Sequence, residues 1–306
     1  MARTTTVLAR PERPLPVELG ARLWAALKAM REAPKLPTFV LGSVLVCGIL
    51  APVFTRWGLS DPIDSSLINS LQPPVWQGGT WANWLGTDQL GRDVFARVIH
   101  GSRVSLVVGL FTVFFAGSIG TTVALLSGYF GGWVDVLLMR LTDSMLSMPF
   151  LLIAIVFAAV LGPSERNVIL ILAVFGWAGY ARVLRSEVLR IKNLDYVSLA
   201  RVAGASTPRI LVRHIFPQIV NSLIVLATLQ LGVVIIAEAS LSFLGLGVPP
   251  PKPAWGSMLA DGRGFLTTAW WMATFPGFGI MFTVLGTNLM GEWLRIKLDP
   301  KFRALR

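Results

Sequence analysis

Charge is scarce in this sequence. Asp, Glu, Lys and Arg make up 14% of 306 residues, where soluble domains carry about a quarter. An ordinary soluble domain is excluded, and the 54% of hydrophobic residues and mean hydropathy of +0.66 point to lipid as the solvent. Cysteine is nearly absent. Cys47 stands alone, so no disulfide forms within the chain and no thiolate metal or redox motif exists. Only two histidines occur, His100 and His214, far apart in sequence, and no protein-held metal is expected. The dipeptide Gly-Lys does not occur, so the chain lacks a P-loop and is not expected to hold ATP itself. Ser and Asp residues have no His companion at triad-like positions, which removes intramembrane hydrolysis. No enzyme activity and no bound cofactor are expected on this chain.

Long apolar runs are plentiful instead. A helix crosses a bilayer in about 20 apolar residues, and six runs qualify: 36–55, 104–127, 144–162, 167–181, 215–237 and 265–291. The fourth is short and needs Arg166 and Arg182 to snorkel at its ends. The first begins too late, and is too long, for a cleaved signal peptide, and reads as a retained helix. With six spans and a cytoplasmic N-terminus, 20 of the 27 Lys and Arg fall on the cytoplasmic side, where both termini then lie. That is the positive-inside pattern. Sidedness thus explains the net charge of +11, and no nucleic-acid partner is expected. An ion-coupled secondary transporter is a competing class. It predicts charges within the spans and broken helices near the midplane, and the spans here are nearly charge-free.

Four regions follow. Residues 1–35 are a polar cytoplasmic tail in which Leu19, Leu23, Trp24, Leu27 and Met30 recur at helical spacing, suiting a helix on the inner membrane surface. Residues 36–103 hold the first span and an outer segment rich in Trp, Pro and Gly, with Arg56, Arg92, Arg97 and Arg103 straining the charge rule. Residues 104–294 hold the remaining spans, with Asp135, Arg140 and Asp143 preceding the third and the prolines Pro249 to Pro253 shaping an outer loop. Residues 295–306 are a basic inner tail. Trp57, Trp81, Trp84, Trp133, Trp255, Trp270, Trp271 and Trp293 fall at expected membrane boundaries, where aromatic belts belong.

One inner stretch interrupts the apolar pattern: DYVSLARVAGASTPRILVRHIFP, residues 195–217. Asp195 suits an N-cap. Tyr196, Leu199, Ala200 and Ala203 then share a helical stripe, and Gly204 permits the left-handed backbone of a corner. Thr207 followed by Pro208 suits a restart, and Pro217 stands at the mouth of the next span. A short helix about 195–208, held between two rigid corners, is the reading; the bland alternative is a surface helix without a role.

This stretch resembles the cytoplasmic signature of binding-protein-dependent ABC importer permeases: Glu-Ala-Ala, three residues, Gly, nine residues, Ile, one residue, Leu, Pro. Ser198, Leu199 and Ala200 stand at the triplet, Gly204 at the glycine and Pro217 at the proline. Ser198, Leu199, His214 and Phe216 depart from the pattern, so Ser198 is given no ionic role. GTDQLGRDVFARVIHGSRVSL (86–106), EASLSFLGLGVPPPKPAWGSML (238–259) and the ending EWLRIKLDPKFR are similar to segments of the dipeptide, oligopeptide and nickel importer family, in particular its C-type permease subunit.

The resemblance covers the chain from about residue 36 onward. It implies an all-α polytopic protein of a bacterial or archaeal inner membrane, surrounded by lipid. Its partners would be a homologous second permease, two cytoplasmic ATPase subunits carrying ATP and Mg, and an extracytoplasmic solute-binding protein. The cargo would be di- or oligopeptides, with nickel or another small solute as the alternative. Tyr196, Ser198, Leu199, Ala200, Ala203, Gly204, Arg209, His214 and Pro217 would then couple the chain to the ATPase, although His214 also suits a packing or capping role. Two outer features stay open. Asp88, Arg92, Asp93 and Arg97 suit an ion-pair network or a binding-protein docking face. Glu238 suits a gate, or an interfacial acid paired with a basic group.

Overall fold

The computed structural model describes residues 33–56 and 59–298. The surface helix expected within 1–35, Trp57 and the last residues of the basic tail lie outside them. The described residues are all-α. Nine helices carry the chain: α1 Lys35–Arg56, α2 Val94–Phe130, α3 Gly132–Ser147, α4 Phe150–Leu161, α5 Glu165–Lys192, α6 Asp195–Val202, α7 Thr207–Phe243, α8 Trp255–Gly262 and α9 Trp271–Leu298. Five of these, α1, α2, α5, α7 and α9, are long and apolar enough to cross a membrane.

The expected third span is broken. α3 and α4 meet at an angle of 86°, and the pair counts as a sixth span only if taken together. Met148 is extended at φ −90°, ψ 137°, as the residue before Pro149 is biased to be, and α4 alone reaches only about 18 Å at 1.5 Å per residue. The fourth span is longer than expected, because α5 runs on past Arg182 to Lys192. Arg182 pairs with Asp143 and Arg185 with Asp135, both on α3, so these guanidiniums meet carboxylates rather than snorkelling alone.

The bundle is organised around the α2–α5 pair. Ala116, Gly120, Ala124 and Gly128 recur every four residues on α2, and all are buried. A methyl added at Gly120 would stand 2.5 Å from the Trp177 carbonyl oxygen and from Tyr180 Cβ; one at Gly128 would stand 2.7 Å from Val188. Lipid gives no hydrophobic drive between helices, so close contact through small residues must hold them together. Leu184, Val188, Ile191, Ile210, Ile215 and Ile219 extend this core toward the end that the charge pattern leads one to expect inside.

The opposite end is closed by the outer segment, α8 and the start of α9. The Trp255 indole donates to the Val98 carbonyl at 2.9 Å and that of Trp271 to the Thr87 carbonyl at 3.0 Å. Both rings are buried with Val94, Met258 and Met272. Trp255 and Trp271 therefore form the core of an outer cap and not a membrane belt, whereas Trp81, Trp84 and Trp133 are exposed.

Candidate functional site

The inner end presents α6 as a separate short helix. Asp195 occupies its first turn, and Leu194 is the N-cap, so the expected capping role of Asp195 moves by one residue. There the carboxylate faces the positive end of the helix dipole. The far end closes as expected at the glycine. Gly204 has φ +79°, its N–H donates to the Arg201 carbonyl at 3.1 Å, and the Ala205 N–H donates to the Ala200 carbonyl at 3.0 Å. That pair of bonds is a Schellman motif, which needs a left-handed residue at this position.

Only Val197 on α6 is buried, set among Ile191, Ile210, Ile215 and Ile219. Ala200 is half-buried, while Tyr196, Leu199 and Ala203 are exposed. The stripe expected to pack is thus mostly the outward face, with Leu199 67% and Val202 87% exposed. Periodicity finds a stripe without saying which side the membrane domain takes, and so missed both Val197 and Val202. Ser198 and Arg209 also face outward. Tyr196 packs beside His214, with ring centroids 6.4 Å apart, and its hydroxyl donates to the His214 carbonyl at 3.4 Å. Burial pushes the Tyr196 phenol up, against a lowering pull from Arg190. Arg201 and Lys192 lie over the Tyr129 ring, pinning α6 to the end of α2.

The second corner differs from expectation. Ser206, one residue before Thr207, holds the N-cap position of the restart without a side-chain bond, and Pro208 lies in the first turn. Pro217 makes no corner. The chain passes through a π-helical segment, Ile210–Ile215, and continues straight into the span. Proline has no N–H and its ring crowds the carbonyl four residues back. A wider turn, with the Phe216 N–H donating to the Leu211 carbonyl, accommodates it.

At the outer end Asp88, Arg92 and Arg97 are turned on one another, and Asp93 on the backbone of α2. Asp88 Oδ2 lies 2.6 Å from Arg92 Nε and 3.5 Å from Arg97 Nε, while its other oxygen accepts from the backbone N–H groups of Leu90 and Arg92. Arg92 also reaches Asp261 at 3.6 Å. Arg97 donates to the Pro62 carbonyl. Asp93 caps α2 by accepting from the Phe95 N–H at 2.8 Å. Burial pushes its carboxyl up, while the Phe95 and Ala96 N–H groups pull it down. All four residues are buried, so Asp88, Arg92, Asp93 and Arg97 offer no docking face; they hold the outer segment to the head of α2.

Glu238 is also buried, and among the described residues no cation meets it. Its carboxyl accepts from Ser242 at 2.7 Å and from Ser105 on α2 at 3.2 Å. Ser242 in turn accepts from the Val248 N–H at 3.4 Å. The expected basic partner is replaced by two hydroxyls: that of Ser105 ties α7 to α2, and that of Ser242, on α7 itself, leads on to the outer loop at Val248.

Apolar spans locked by small residues, a buried outer cap and an exposed inner helix closed at Gly204 define a polytopic membrane protein. The family of binding-protein-dependent transport system inner membrane components matches residues 120–304. The dipeptide transport system permease protein DppC of Haemophilus influenzae is 40% identical over 281 residues, 92% of this chain and 94% of its own. The di/tripeptide transport system permease protein DppC of Pseudomonas aeruginosa is 41% identical over 85% of each chain. The glutathione transport system permease protein GsiD of Pectobacterium atrosepticum is 44% identical over 74% of this chain and 76% of its own. The chain belongs to this family: it is a multi-pass inner-membrane permease subunit of an ABC importer.

Proposed function

We propose that the chain is one of two homologous permeases in an importer of di- or oligopeptides, receiving cargo from an extracytoplasmic binding protein. Two cytoplasmic ATPase subunits carry ATP and Mg, and both termini of this chain are cytoplasmic. α6 is the coupling helix. Leu199 and Val202 seat in a cleft of one ATPase, and closure of the ATPase pair displaces α6. The Schellman corner at Gly204 and the Val197 anchor pass that displacement to α5 and α7. Rocking of the spans then alternates access to the path, because nucleotide binding favours one of two arrangements.

The observation that carries this reading is α6 itself: an apolar outward face on a helix fixed at its end and anchored by one buried side chain. The peptide cargo rests on the names of the relatives. Reconstitution tests both. The complete complex with its binding protein, in liposomes, should take up a labelled dipeptide only with ATP inside. Uptake by the purified chain alone, driven by an ion gradient, would sink the proposal.

A further inference from the structure

Four carboxamides on the membrane-spanning helices have no hydrogen-bond partner among the described residues, and one of them, Gln230 on α7, is half-buried on the side away from Asn221. Gln218 and Asn221 on α7 are exposed, and so is Asn288 on α9. Asn288 Oδ1 would lie 3.4 Å from a methyl added at Gly232, which places it beside α7 at that level. At about 100° per residue, Gln218, Asn221, Thr228 and Gly232 share one stripe. The three exposed carboxamides therefore mark a polar track running about 20 Å along α7. Thr228 lies within it, its hydroxyl donating to the Ile224 carbonyl at 2.9 Å.

Hydrocarbon cannot be the neighbour of this face, because an amide facing lipid without a partner is strongly unfavourable. Other exposed faces suit lipid well, such as Phe114 on α2 and Val160 on α4. We infer that the track lines the translocation path and hydrogen-bonds to water and to the backbone of a peptide cargo in transit. This rests on the importer reading. A primary carboxamide donates and accepts, as a peptide bond does, so it matches what peptides of every sequence share. A track without charge also suits passage over capture, whereas a metal cation as cargo would call for carboxylate or imidazole.

Thiol accessibility tests this. In a Cys47→Ala background, Asn221→Cys and Val160→Cys are each made in the complete complex in proteoliposomes. Each is treated with a charged, membrane-impermeant methanethiosulfonate, and labelling of this chain is read by mass. Asn221→Cys should react at least about tenfold faster than Val160→Cys without nucleotide, and about tenfold slower again with a non-hydrolysable ATP analogue, the scale of a modest population shift. Asn288→Cys gives a second reading of the same face. Rates equal to that of Val160→Cys in both states, with ATP-driven uptake intact, would show a dry interface with the second permease and overturn the inference. A fast rate insensitive to nucleotide overturns it too. Loss of ATP dependence in the Cys47→Ala parent instead refutes the importer reading and is read separately.

Discussion

Residues 86–106 and 195–217 look alike as sequence: each begins near an aspartate, carries several arginines and turns at glycines. They fold to opposite ends and opposite fates. At the outer end Asp88 and the half-buried Asp261 stand opposite Arg92 and Arg97, and Asp88 and both arginines are buried. Within residues 195–217 Asp195 is the only acid, and Arg201, Arg209 and Arg213 are exposed. Partners decide the difference, since a buried charge needs a counter-charge and an exposed one does not. The inner arginines leave α6 free to be gripped by another chain, while the outer ones consolidate the cap.

The sharpest way to break this contrast is Asp88→Ala. Two buried guanidiniums would lose their shared carboxylate, and such breaks cost about 3–5 kcal/mol. Folded permease recovered in detergent, followed by its melting temperature, should fall steeply. Arg209→Ala at the inner end should change stability by no more than about 0.5 kcal/mol. Equal effects at the two sites would show that the outer network is not structural.

Local chemistry made part of this visible in the sequence, and non-local chemistry hid the rest. Five of the six apolar runs and the Gly204 corner were legible because each depends on adjacent residues alone, while the third run is broken before Pro149. The extension of α5 was not, because Arg182 and Arg185 depend on Asp143 and Asp135 from another helix. Ala116, Gly120, Ala124 and Gly128 did carry a readable four-residue period, which marks a close helix contact. Asp88 and Arg92 are four residues apart, yet whether they face water depends on Asp261 and Pro62, far along the chain.

Gly204→Val tests the inner side of the contrast. At φ +79° a residue with a side chain costs about 1–2 kcal/mol, and β-branching stiffens it further. No atom lies within 4 Å of the added Cβ, so the effect is conformational and confined to the corner. The variant should insert and assemble, while ATP-driven uptake falls at least about tenfold relative to ATP hydrolysis, the equivalent of roughly 1.4 kcal/mol of lost coupling. Normal uptake by a fully assembled complex would remove α6 from the coupling route.

The smallest expected effect belongs to Ser198→Glu, which restores the residue usual in the family signature. Ser198 is exposed in the first half of α6, where a carboxylate gains at most about 0.3–1 kcal/mol from the helix dipole, less in salt. If Leu199, Val202 and the fixed shape of α6 carry docking, a rim charge adds about 0–1 kcal/mol. ATPase affinity, measured by titrating the ATPase onto the permease pair in nanodiscs, should then change by less than about fivefold. A larger gain that disappears in high salt would mean that the cleft holds a cation awaiting the family carboxylate. The inner arginines would still be bystanders, but charge would have returned to the coupling contact through Ser198, one of the four positions where this chain departs from the family signature.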